Sequence, residues 1–366
     1  VNGSYKVYTV DAAGNLSAAS SNTVTIQDLT PPTVSSVNVP ANGTYAQNAV
    51  LSFTVNTSEV VNVVTTGGMP RLVITLTSGT VYATYASGSG TNALVFNYTV
   101  QSGHADGNGL VVISLELNGG TIKDAASNNI NTSLNSIGVT SALLIDGVAP
   151  TANITAATDN VGSVTGAFAS GARTDDNALV LSGTCEANST VNVYNGTNFL
   201  SAAIVTSNTW SYTATVNNAT IYQFNVVETD VNGNVSVPSS NFTITGDTAA
   251  PSVDGYSLSG TTGITTINGT NFSSNSFTLA GTRESGSSVQ VWKDGTQIGN
   301  VTSDISTSWT YNVTGLSAGN YAFKVKMTDA AGNTSDLSST SFDVSVDTTP
   351  PAVPSNVVVE DSNQQT

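Results

Sequence analysis

The chain is short of charge, and most of what it has is negative: 8 Lys and Arg stand against 24 Asp and Glu in 366 residues, a formal net charge of −16. So few cations leave no electrostatic footprint for a nucleic-acid backbone or an anionic lipid surface. A single cysteine, Cys185, excludes an internal disulfide framework. A single histidine, His104, has no nucleophile in a recognisable setting beside it and supports no catalytic triad. No run of 18 apolar residues is present, so no membrane-spanning helix and no membrane insertion are expected in this segment. Helical periodicity is missing throughout. Val1 is not a start methionine and no signal peptide stands before it, so the chain reads as a segment of something longer.

What is there is repetition. The phrase D-A-A-G-N at Asp11–Asn15 returns as D-A-A-S-N at Asp124–Asn128, D-V-N-G-N at Asp230–Asn234 and D-A-A-G-N at Asp329–Asn333. Each copy is answered 17 to 22 residues later by a second phrase, at Asp28–Pro32, Asp146–Pro150, Asp247–Pro251 and Asp347–Pro351. A pair recurring about every hundred residues marks a tandem array. It divides the chain into the final strands of a preceding unit (1–29), a longer unit (30–148), two shorter units (149–248 and 249–348) and the start of a following one (349–366). Each complete unit is long enough to bury a core of its own.

The segments between the phrases alternate apolar and polar residues with period two and are rich in Val, Ile, Thr, Tyr and Phe, the signature of half-buried antiparallel strands. Leu94, Phe96, Tyr98 and Val100 fall on one face, and Val111, Ile113, Leu115 and Leu117 on another. In the two later units Leu181–Thr184 aligns with Leu279–Thr282, Asn195-Gly196 with Asp294-Gly295, and Trp210 with Trp309. Asn-Gly and Asp-Gly predict two-residue type I′ hairpins. Short strands at this spacing with no helix between them predict an all-β fold, tandem immunoglobulin-like antiparallel β-sandwiches of roughly seven strands in an extended rod.

Carboxylates at fixed repeat positions suggest calcium, which takes six to eight oxygens from acidic loops. The candidate ligands are Asp11, Asp28, Asp124, Asp230, Asp247, Asp329 and Asp347, with Asp146 at the remaining junction. The alternative is turn chemistry, in which Asp and Asn bond their own backbone and glycine supplies the positive φ. Loops separated by a single strand lie at opposite ends of a sandwich, so the two phrases of a pair need not share an ion. A second acidic set, Asp159, Asp175 and Asp176, occurs only in the middle unit; the last unit has Ser273, Ser274 and Asn275 where Thr174, Asp175 and Asp176 would align. Asp106, in H-A-D-G-N-G, reads first as a polar turn, Trp210 and Trp309 as core, and Cys185 as a small strand residue.

V-D-A-A-G-N, the closing D-T-x-P-P, L-S-G-T-x-E and W-x-Y resemble the bacterial immunoglobulin-like repeats of giant surface adhesins and biofilm proteins. The longer unit, with L-S-F-T-V, G-G-x-P-R-L, Y-A-T-Y-x-S-G-S-G-T and L-V-F-N-Y-T-V, resembles another module type of the same proteins. The resemblance implies secretion to the bacterial cell surface, rod-like arrays, and calcium at or near the junctions. It also implies that the D-x-V-G and T-D-D segments carrying Asp159, Asp175 and Asp176 form a calcium-binding pair of loops, with Asp146 joining them. On this reading the chain is no enzyme but a stalk segment projecting a region that binds an unidentified surface receptor or glycan. Neighbouring repeats are then its immediate partners. The alternative is self-association into a filament, sheath or surface layer, with sandwich edges accepting strands from other copies.

Overall fold

In the computed structural model, residues 3–253, 256–259, 270–272, 276–347, 349 and 352–355 are described, and every helix or strand among them is a strand. Ser273, Ser274 and Asn275, and most of the expected start of a further unit, lie outside these residues. The chain folds as tandem immunoglobulin-like β-sandwiches built on three separate hydrophobic cores. Before the first stands a hairpin in which Gly3–Lys6 pairs antiparallel with Thr23–Ile26.

In the first unit the 15-residue strand Val50–Val64 is central, pairing with Thr91–Thr99, Val34–Asn38 and Thr121–Lys123. Leu51, Phe53 and Val55 stand directly opposite Tyr98, Phe96 and Leu94, and all six are buried. Alternation therefore places the core face here as the sequence predicts. It misplaces the neighbouring run. A β-bulge in the pairing of Val111–Glu116 with Arg71–Leu76, between Val112 and Ser114, puts two residues against one. Val112 and Leu115 are consequently buried, whereas Val111 and Ile113 face solvent.

Each of the two later units sets one sheet against another. In the second, Ala178–Thr184 pairs with Ala156–Asp159 and Thr209–Thr215, while Thr190–Asn195 pairs with Thr220–Thr229 and Asn198–Ala202. Gly183 lies directly opposite Trp210 and Gly281 directly opposite Trp309. A Cβ on Gly183 would come within 2.6 Å of the Trp210 Nε1, and one on Gly281 within 2.7 Å of the Trp309 Nε1. The glycine of L-x-G-T is thus the floor on which the indole lies, and both tryptophans are buried in the core.

The hairpin turns are close to expectation but not identical to each other. Asp294 and Gly295 both have positive φ, 49° and 80°, as a type I′ turn requires. Asn195 instead ends its strand opposite Asn198, leaving Gly196 (φ 60°) and Thr197 as the turn pair. In all three units a short early segment runs parallel to the last strand: Gly43–Ala46 with Leu143–Asp146, Ala172–Thr174 with Phe242–Gly246, and Thr270–Phe272 with Phe342–Val346. This pairing sets Phe272 at the register position of Thr174, one residue from the sequence alignment.

Candidate functional site

The repeated acidic phrase is a tight turn closed by its own aspartate. Oδ1 of Asp230 accepts the N–H groups of Asn232 and Asn234 at 2.9 and 2.8 Å, while Oδ2 accepts the Asn234 side-chain amide at 2.7 Å. Asp11 and Asp329 accept the corresponding three bonds, and Asp124 accepts the backbone and side-chain amides of Asn128. The residue before the asparagine has positive φ in every copy: Gly14, Gly233, Gly332 and, at 73°, Ser127. The Asn15 side-chain amide, with backbone N–H groups, holds the Asp11 carboxyl below the usual range. At Asp124 burial pushes upward, but the bonds from Asn128 and the turn outweigh it and the net shift is down.

The asparagine also reaches across to the second phrase, but to the copy preceding its unit, not the one that follows it. The side-chain amide of Asn128 donates to the Asp28 carbonyl at 3.0 Å, that of Asn234 to the Asp146 carbonyl at 2.9 Å, and that of Asn333 to the Asp247 carbonyl at 2.7 Å. These partners lie 100, 88 and 86 residues apart in sequence. The junction aspartates form turns of their own, Oδ1 accepting the N–H of Thr30, Val148, Ala249 or Thr349 two residues on. Turn chemistry therefore accounts for part of what every repeated aspartate does.

The same fold brings a third acid to each junction, one that the sequence reading did not single out. Carboxylate oxygens of Asp28, Glu59 and Asp124 lie within 4.8 Å of one another. In the second unit the cluster consists of Asp146, Glu186, Asp230 and a fully buried Glu228. Burial, then Glu228, Asp230 and Asp146, raise the Glu186 carboxyl above its ordinary value. In the third unit the counterparts are Asp247, Glu284 and Asp329. The signal was available as a T-x-E triplet at Thr57–Glu59, Thr184–Glu186 and Thr282–Glu284.

The middle unit's own acidic set lies at the next junction. Asp159 accepts Thr174 Oγ1 and, at 2.8 Å, the Val161 N–H; Asp176 accepts the Ala178 N–H at 2.7 Å. Asp175 is raised by burial and by the charges of Asp159, Asp329 and Asp176, and its Oδ1 is buried without a hydrogen-bond partner. Ser163 Oγ, in the same loop, donates to the Gly332 carbonyl of the third unit at 2.9 Å. Asp146 is not in this group: its Oδ2 accepts the Asn232 side-chain amide at 2.7 Å, beside Asp230. Asp146 ends the last strand of the first unit, Leu143–Asp146, and there meets the second unit's turn through Asn232 and Asn234.

The remaining polar candidates are accounted for locally. Asp106 accepts the N–H groups of Thr77, Asn108 and Gly109. His104 Nδ1 bonds the Tyr98 hydroxyl at 2.8 Å, and burial pushes that hydroxyl up to about 12.

Residues 249–348 match the family model described as a bacterial Ig-like domain. No curated protein matches the chain. Solved structures similar to it include the fibronectin(III)-like modules of Clostridium thermocellum CbhA, at 20% identity and TM-score 0.31 over 49% of this chain and 90% of that one. The BSP domain of a biofilm-associated protein aligns at 16% identity and TM-score 0.21, covering 88% and 67% of the two chains. The D1–D4 ectodomain fragment of ICAM-5 aligns at 14% identity and TM-score 0.28, covering 85% and 75%.

Proposed function

We propose that this chain is a load-bearing stalk segment of an extracellular bacterial surface adhesin, in which calcium at the acidic junctions fixes one sandwich relative to the next. The observation that carries the reading is the asparagine bond repeated at three successive junctions, from Asn128, Asn234 and Asn333 to a carbonyl of the linker ahead of each unit. A ligand-binding module needs one such loop; a stalk needs it at every joint.

The donor set suits calcium. Two oxygens on opposite sides of one ion, at about 2.3–2.6 Å each, stand about 5 Å apart, and the Asp28, Glu59 and Asp124 oxygens lie within 4.8 Å. Asp159, Asp175 and Asp176 would hold a further calcium ion in the loops of the middle unit, a reading supported by the buried Asp175 Oδ1, which has no hydrogen-bond partner. Bound calcium supplies positive charge among crowded carboxylates and stabilises the ordered junction by mass action, by about 2.7 kcal/mol at a concentration one hundred times Kd.

Small-angle scattering and sedimentation of the full chain, with calcium and with chelator, test the proposal. The expected result is a monomer whose maximum dimension is longer and better defined with calcium, with Glu59→Gln reducing the response. Spontaneous polymers would favour the filament or surface-layer reading. A monomer whose scattering is identical in calcium and chelator would remove calcium from the account.

A further inference from the structure

We infer that the Asp247–Glu284 pocket, between the second and third units, carries a resident cation in place of a metal ion: the guanidinium of Arg173. This joint would then stay ordered without calcium, while the joint before it depends on calcium. The inference rests on the calcium reading above for its contrast between joints, but not for the role of Arg173 itself.

Arg173 belongs to the second unit, and its Nη1 lies 3.0 Å from Asp247 Oδ2 and 4.0 Å from Oε1 of Glu284 in the third. The side chain thus spans the linker and puts one positive charge between two acids that correspond to Asp28 and Glu59. Strand register identifies its counterpart one unit earlier. Ala172 pairs with Ile244, and Gly43 pairs with Leu143. Ile244 and Leu143 each stand three residues before the junction aspartate, Asp247 or Asp146, so Arg173 and Thr44 occupy equivalent positions. Thr44 is exposed and neutral.

The earlier pocket has more negative charge and no such cation. Among the described residues no Lys or Arg pairs with Asp146, Glu186, Glu228 or Asp230. Glu228 is fully buried; its Oε1 accepts the Glu186 N–H at 2.6 Å and its Oε2 has no hydrogen-bond partner. The equivalent residue in the third unit is the apolar Met327. Burial first, and then the charges of Glu228, Asp230 and Asp146, raise the Glu186 carboxyl. One joint therefore has a fourth acid, Glu228, and a threonine at position 44, while the next has Met327 in place of that acid and an arginine in place of that threonine.

Hydrogen exchange on the intact chain, in calcium and in chelator, separates the two joints. The readouts are residues 146–149 and 247–250, followed in an Asp175→Asn chain, because the Asp247 N–H bonds the Thr174 carbonyl and an ion at Asp159, Asp175 and Asp176 would otherwise reach this joint. Residues 329–333 are left aside because Asp329 also faces Asp175. In that chain, 146–149 should exchange several-fold faster in chelator, and 247–250 should exchange equally in both. Adding Arg173→Gln should speed 247–250 about two- to fivefold in chelator, the range for a partly exposed ion pair, and make it respond to calcium. Adding Thr44→Arg, on an exposed position, should reduce the response of 146–149. The inference is overturned if 247–250 in the Asp175→Asn chain follows calcium as strongly as 146–149, or if adding Arg173→Gln leaves its exchange in chelator unchanged. If 146–149 ignores calcium in the Asp175→Asn chain, the calcium reading fails alone, and Arg173→Gln in chelator still decides the role of the guanidinium.

Discussion

The side chain of Asn234 ties together two units that are separate in sequence: its Nδ2 donates to the Asp146 carbonyl at 2.9 Å, and its Oδ1 accepts the N–H of Gln47, in the first unit, at 2.8 Å. The same amide closes the turn on Asp230. Asn234 is 2% exposed, so none of these groups has water as a ready substitute. Asn234→Ala should destabilise the second unit by about 1–3 kcal/mol, the cost of leaving buried polar partners unpaired. Hydrogen exchange should also rise at Gln47, in the neighbouring unit. A loss confined to the second unit, with Gln47 unaffected, would show that the asparagine closes a turn and couples nothing.

Ser127 occupies the position that is glycine in the other three copies, with φ at 73°. A side chain held in the left-handed region carries strain that glycine does not. Ser127→Gly should therefore stabilise the first unit by about 0.5–1 kcal/mol despite the added freedom of the unfolded chain. The midpoint of denaturant unfolding checks this, and a lower midpoint would mean that Ser127 contributes more than its backbone angle reveals.

How much of this was legible differs by element. The strands around Phe53 and Phe96 were, because a buried face imposes period two and nothing interrupts it there. The face of Ile113 was not, since one bulge reverses the alternation and a bulge has no composition of its own. The repeated phrases were visible, and so was the reason the two phrases of a pair stand apart, at opposite ends of a sandwich; that each turn meets the phrase ahead of its own unit was not. Sequence proximity joins Asp230 to Asp247, whereas the sandwich carries the turn back to Asp146, at the opposite end of the strand. Glu59, Glu186 and Glu284 were overlooked because a single acid after a strand carries little signal until a third dimension sets it beside two others. Cys185 read as a small strand residue; it is buried but stands just past the end of Ala178–Thr184, and its counterpart Arg283 is just as buried. There the guanidinium serves the carbonyls of Ser287, Thr302 and Ser306 and the Asp304 carboxylate, a partner set that alignment alone does not predict.

The glycine beneath each tryptophan makes a steric prediction. A Cβ on Gly183 would sit 2.2 Å from the Asn153 carbonyl oxygen as well as against the Trp210 indole, so both backbone and ring must shift. Gly183→Ala should destabilise the second unit by about 1–3 kcal/mol, as overpacking does. Near-ultraviolet circular dichroism should report a changed environment for Trp210. A fully retained signal and an unchanged midpoint would refute the assigned role of this glycine.

Acid should act on the two kinds of aspartate with opposite sign. Asp124 is held below its ordinary value in the folded chain, so its contribution is present above the unfolded value and is lost as pH falls through the folded one. Asp175 is raised, first by burial and then by Asp159, Asp329 and Asp176. The folded state therefore binds its proton more tightly than the unfolded state does, and ionised Asp175 is a cost at neutral pH that shrinks on acidification. Asp175→Asn should raise the melting temperature of the second unit in chelator at pH 7, with the gain disappearing in acid. In calcium the order should reverse, because the ion needs the carboxylate that the fold alone does not. Thermal scans of both proteins in the two buffers measure this, and an Asp175→Asn variant that is less stable in chelator would show the carboxylate to be a structural partner instead of a site kept charged for a cation.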